Sequence, residues 1–100
     1  MIGTHKTRID YRNQGTPEEE IFVRYHNTDV VQIGPRWITL DNGGYLTPTT
    51  KRRMNQVSEH YGLGYKVFQK NYDWFVAIGN TVIPYGTGRR CTLNYNTMED

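Results

Sequence analysis

Short apolar and polar runs of strand length fill most of the chain after residue 20, and one stretch departs from that pattern. "IFVRYH" (21–26) is rich in β-branched and aromatic residues and reads as a first strand. "NT" turns it into "DVVQIG", Gly34-Pro35 turns the chain again, and "WITLD" follows. "NGG" then stands between "WITLD" and "YLT", a strong hairpin signal because a type I′ turn needs positive φ at both central residues. The departure begins at Thr47. Thr50, Met54, Val57 and Tyr61 recur at spacings of four, three and four, which is one stripe of a helix. Thr47 or Thr49 can cap it, Pro48 suits its first position, and Gly62 and Gly64 end it. "YKVFQK", a turn through "NYD", and "WFVAIG" form a second hairpin able to cover the helix with one face. "TVIPY" is a last strand, with Pro84 confining it to an edge.

These elements predict a single small α+β domain over 21–85, with one helix packed on one face of an antiparallel sheet of about five or six short strands. Residues 1–20 have scattered apolar positions, a Gly-Thr-Pro break and an acidic run. They read as a disordered or loosely docked arm, with Arg8, Tyr11 and Arg12 available for docking. Residues 86–100 read as a polar tail.

Composition changes this picture in three ways. Hydrophobic residues are 36% of the chain but aromatics reach 13%, so the core should be small and built around rings. No apolar run is long enough for a membrane span and no basic-then-apolar leader appears, so the expectation is a soluble intracellular protein. Cys91 is the only cysteine, which leaves a passive thiol and excludes both an intrachain disulfide and a multi-cysteine metal site. The net charge of +2 conceals a segregation: from Ile21 to Arg90 nine bases face four acids, an excess of five suited to an anionic partner.

The sharpest local signal is the helix start, "TPTTKRRMN". Helix N-termini carry partial positive charge and favour acids, yet Lys51, Arg52 and Arg53 sit there together. None meets an acid at i+4: Lys51 faces Asn55, Arg52 faces Gln56 and Arg53 faces Val57. The bases fan around the exposed side of the helix, so their partners must come from another segment or another molecule. A phosphate would fit: free backbone N–H groups, the hydroxyls of Thr49 and Thr50, and three cations would converge on it, with Asn55 alongside. Solvated bases on an ordinary capped helix are the plain alternative. The motif is not a Walker loop, because the lysine-then-threonine order is absent.

Flanking contacts are Arg36, Lys66, Lys70 and His26. Alternation puts Tyr65, Val67 and Gln69 on one strand face and Lys66, Phe68 and Lys70 on the other, where a ring between two cations could stack a base. His26, in "YHNTDVV", reads first as a turn residue. His5 and His60 are remote from it and no ligand pair has metal-binding spacing, so no metal or cofactor is expected. No nucleophile elbow or paired carboxylates appear, and the chain is not expected to be an enzyme.

Residues 23–76 resemble a widespread group of small bacteriophage proteins. The residues that carry the resemblance are "YHNTDVV", "ITLDNGGYLTPTTKRRMNQ" and "YKVFQKNYDWFV". It covers about half the chain and leaves out the two ends. It implies a phage accessory protein acting in the cytoplasm of an infected bacterium, and carries over no activity or catalytic residue. The expected function is therefore non-enzymatic binding of a phosphate-bearing ligand, foremost nucleic acid, through the basic helix start. Two alternatives remain: an inhibitor of a host or anti-phage defence protein by direct contact, and a sponge for a nucleotide signal.

Overall fold

The computed structural model describes residue 2 and residues 6–94; His5, weighed above as a metal ligand, and residues 95–100 of the expected tail lie outside them. The elements follow in the order β1 (Thr7–Arg12), β2 (Glu20–Tyr25), β3 (Thr28–Ile33), β4 (Trp37–Asp41), α1 (Pro48–Tyr61), β5 (Tyr65–Lys70), β6 (Asp73–Ile78), β7 (Thr81–Pro84) and β8 (Arg90–Asn94). The class is α+β, as expected. The strands number eight and form two antiparallel sheets, in the orders β1-β2-β3-β4-β8 and β5-β6-β7.

Period-two alternation selects the buried faces. Ile21 and Val23 on β2, Ile38 and Leu40 on β4, and Cys91 and Leu93 on β8 point inward from the large sheet. Tyr65, Val67, Trp74, Val76 and Ile78 do so from the small one. On β3 the register passes from Val23↔Val31 to Arg24↔Asp29, which leaves Val30 as the extra residue of a β-bulge. The bulge is why two successive valines, Val30 and Val31, are both buried. Helix α1 packs against β5 on one side and β2 and β3 on the other. Its Met54 and Val57 therefore join the two sheets into one core, each contributing about 1.5–3 kcal/mol by burial.

The helix also closes the small sheet's outer edge. β5 has only one strand neighbour, so its other side would present unpaired backbone groups. Asn55 donates from Nδ2 to the Val67 carbonyl (2.9 Å) and accepts the Val67 N–H at Oδ1 (2.7 Å). Ser58 does the same for Tyr65, donating to its carbonyl at 2.7 Å and accepting its N–H at 3.1 Å. Thr47 is the N-cap, accepting the Thr50 N–H at 3.2 Å, and Pro48 occupies the first position. Gly62, at φ 65°, ends the helix with Leu63 donating back to Ser58 (2.9 Å).

Three expectations need correction. The first twenty residues are not a loose arm throughout: β1 pairs with β2 from Thr7↔Tyr25 to Arg12↔Glu20. Only Thr7 and Ile9 of β1 face inward even partly, so an apolar pattern could not reveal it. Nor is 86–100 wholly a tail, because β8 sets Cys91 and Leu93 opposite Leu40 and Ile38. Finally, "NGG" makes no hairpin and "YLT" no strand. The Asp41 carboxylate accepts the Gly43 N–H (2.8 Å) and Asn42 Oδ1 the Gly44 N–H (2.7 Å), and these side-chain turns send the chain into α1. The side of β4 expected to hold "YLT" is taken by β8. The β2–β3 and β5–β6 hairpins form as read.

Candidate functional site

The start of α1 does not gather the expected residues into one site; it divides them. Pro48, Lys51, Arg52 and Asn55 face a shallow groove of about 490 Å³ shared with Phe68 and Gln69 of β5. Thr47, Thr49 and Thr50 face the opposite way, into a cleft of about 540 Å³ that includes His26. A helical turn has two flanks, and consecutive residues fall on different ones.

On the groove side, Lys51 donates from Nζ to Gln69 Oε1 at 3.1 Å and lies 5.6 Å from the Trp74 ring centroid. Arg52 is exposed and its side chain has no partner among the described residues. Asn55 is engaged by both backbone groups of Val67. Arg53 is the larger correction. It was expected on the exposed side but is 8% exposed, with Thr7 of β1 and Tyr25 of β2 against its guanidinium. Its Nε donates to Thr7 Oγ1 (3.1 Å) and its Nη1 to Gln56 Oε1 (3.0 Å), while the guanidinium sits 5.3 Å from the Tyr25 ring centroid. Arg53 pins β1 and β2 to the helix.

The convergence of free amides on an anion is also reduced. Pro48 has no N–H, the Thr50 N–H goes to Thr47 Oγ1, and the Lys51 N–H reaches the Thr47 carbonyl at 3.3 Å. The Thr50 hydroxyl is 3.0 Å from that of Thr47. Among the described residues only the Thr49 N–H of this first turn is left over.

Most other bases are accounted for within the protein. Arg24 pairs with Asp29 at 3.1 Å, and that hydrogen-bonded carboxylate raises its pKa. Arg89 and Arg90 both approach the buried Asp41, at 3.5 and 3.1 Å. The side chains of Arg36, Arg52, Lys66 and Lys70 have no partner among the described residues. Arg36 lies in the β3–β4 turn and lines neither the groove nor the cleft. The other three surround Phe68. Lys66 and Lys70 are exposed on the same outer face of β5, and Arg52 reaches the groove that Phe68 lines. Phe68 stacks on Phe75 across the sheet, with ring centroids 5.6 Å apart.

The cleft has residues that sequence reasoning did not single out: Tyr25, Asn27 and Thr28 at the β2–β3 turn, and Asn42 and Tyr45 after β4. Reading Asp41-Asn42 as side-chain turns rather than a hairpin would have exposed the second group. His26 sits at the hairpin tip with φ 57°, its ring centroid 4.4 Å from that of Tyr25. Elsewhere, burial pushes the Cys91 thiol up and keeps it protonated. Among the described residues no group of three His, Cys, Asp or Glu side chains could hold a metal ion, and no helix is long and apolar enough to cross a membrane.

A family model described as the Kyanoviridae Gp96 protein matches residues 2–92. The chain belongs to that family. This bears out its resemblance to bacteriophage proteins and extends it beyond residues 23–76. The Gp96 match takes in β1, which was set aside as an arm, and reaches Thr92 of β8. No curated protein and no solved structure matches the chain.

Proposed function

We propose that this Gp96-family protein is a non-enzymatic binder of nucleic acid, acting in the cytoplasm of the infected bacterium. One observation carries the reading: Arg52, Lys66 and Lys70, whose side chains have no partner among the described residues, surround the half-buried Phe68 of the Phe68–Phe75 stack. Cations around aromatic rings are the elements by which single strands are held, phosphates by charge and bases by stacking. Lys51, half-buried at the groove wall, extends the cationic line. The phosphate-binding centre moves from the helix start, where it was expected, to the groove between α1 and β5. Arg53 drops out of it.

The test is titration of labelled single-stranded and duplex DNA and RNA over a range of salt. Each lost phosphate contact should reduce the slope of log K against log salt by about 0.7–0.9. The Arg52→Ala, Lys66→Ala, Lys70→Ala variant should lose affinity for every sequence and show a flatter slope. Equal affinity and slope in variant and parent would sink the reading.

A second reading, direct contact with a host or defence protein, is favoured by a different surface. Leu46 is 60% exposed and Tyr72 90% exposed, and both line a groove of about 290 Å³ that also includes Arg89. Tyr72 has φ 72° at the β5–β6 tip, an uncommon conformation for so large a side chain. A Tyr72→Ala variant that keeps nucleic-acid affinity but loses its effect on the infected host would favour this reading over the first.

A further inference from the structure

The cleft on the other flank of the helix start differs chemically from the groove: no Lys, Arg, Asp or Glu lines it. Its volume of about 540 Å³ is in the range of small-molecule sites. Its polar groups are amides, hydroxyls and the His26 imidazole, and two of the amides and hydroxyls are incompletely used. Asn42 is 4% exposed; its backbone N–H goes to the Arg89 carbonyl and its Oδ1 to the Gly44 N–H, but its Nδ2 has no acceptor among the described residues. That donor is not sealed from solvent: among the described residues the one enclosed side-chain polar atom without a partner is Trp74 Nε1. Tyr25 has its ring fixed between the Arg53 guanidinium and the His26 ring, while its hydroxyl makes no hydrogen bond among the described residues. Tyr45 stands at the rim, 67% exposed.

A cleft without Lys, Arg, Asp or Glu, with aromatic rings, a spare amide donor and a spare hydroxyl, suits a planar ligand with donors and acceptors along its edge. It does not suit a phosphate, for which the helix start has one amide left. We infer that the cleft receives a single unpaired nucleobase. Amide side chains match base edges and tyrosine rings match base faces. The base can arrive in two forms. As a free nucleoside it needs nothing beyond the cleft. As one nucleotide of a bound strand, the inference rests on the nucleic-acid reading above. In that case Thr49 in the cleft and Pro48 in the groove, consecutive residues, mark where the strand crosses the helix start.

The experiment follows the backbone amide signals of the isotopically labelled full chain. The probes are adenosine, guanosine, cytidine and uridine, and then short single-stranded oligonucleotides. At least one nucleoside should shift the amides of residues 25–28, 42–45 and 47–50, with an affinity independent of salt. Tyr45→Ala and Asn27→Ala, both at exposed positions, should each weaken it by roughly tenfold, the worth of one stacking or bidentate contact. Val82→Ala, at an exposed position of β7 outside the cleft and the groove, should leave nucleoside binding unchanged. Silence of these amides toward every nucleoside and every oligonucleotide overturns the inference. Nucleosides that leave the cleft amides still while oligonucleotides bind elsewhere also overturn it, and leave the nucleic-acid reading standing. Nucleosides that bind the cleft while oligonucleotides fail to bind support the inference and overturn the nucleic-acid reading.

Discussion

The two flanks of the helix start are built from one continuous run of residues, yet they present opposite chemistry. The groove side carries Lys51, Arg52 and Glu59 beside Phe68; the cleft side carries hydroxyls, amides and the His26 ring, with no Lys, Arg, Asp or Glu. Between them, Arg53 has been drawn into the fold by Thr7, Gln56 and Tyr25. Adjacent arginines of the same type therefore have different roles, and the difference comes from what covers each. Thr7, Tyr25 and Gln56 enclose Arg53, and no side chain among the described residues partners Arg52. A basic run in a sequence is not one functional unit when a helix distributes it around its axis.

Substitutions along this run can break or sharpen the contrast. Asn55→Leu should have the largest effect, a loss of about 3 kcal/mol in chemical denaturation. It leaves the Val67 N–H and carbonyl at the sheet edge without partners, each costing about 1–3 kcal/mol. A loss below about 1 kcal/mol would mean the edge is satisfied in another way. Arg53→Ala should follow at about 2 kcal/mol, the scale of a charged hydrogen bond, with nucleic-acid affinity scarcely changed. A large drop in affinity with stability intact would return Arg53 to the binding face. Arg52→Ala should show the reverse: stability within about 0.5 kcal/mol of the parent and a salt slope reduced by less than about one. Were Arg52 and Arg53 to behave alike in both measurements, the division into two flanks would be wrong.

How far residue patterns could be followed varied along the chain. Thr47, Pro48 and Gly62 mark the helix because capping depends on neighbours a few residues away. The outward face of Lys66, Phe68 and Lys70 was readable because strand alternation is local as well. β1 and β8 were not readable. "TRIDYR" and "RCTLN" carry little apolar signal, and each becomes a strand by completing an edge far away in sequence. "NGG" misled because Asp41 and Asn42 take the amides that a hairpin turn would have left to its strands.

Local chemistry was enough to establish an α+β domain, the position and ends of its helix, and a helix start richer in bases than its own acids could neutralise. Those properties depend on spacing along the chain. Which bases remain available, and the existence of the cleft without Lys, Arg, Asp or Glu, depend on contacts between residues far apart: Arg53 with Thr7, Asn55 with Val67, and the β2–β3 tip beside the loop after β4. Packing assigns a partner to one side chain and leaves its neighbour without one, and no periodicity in the sequence carries that information.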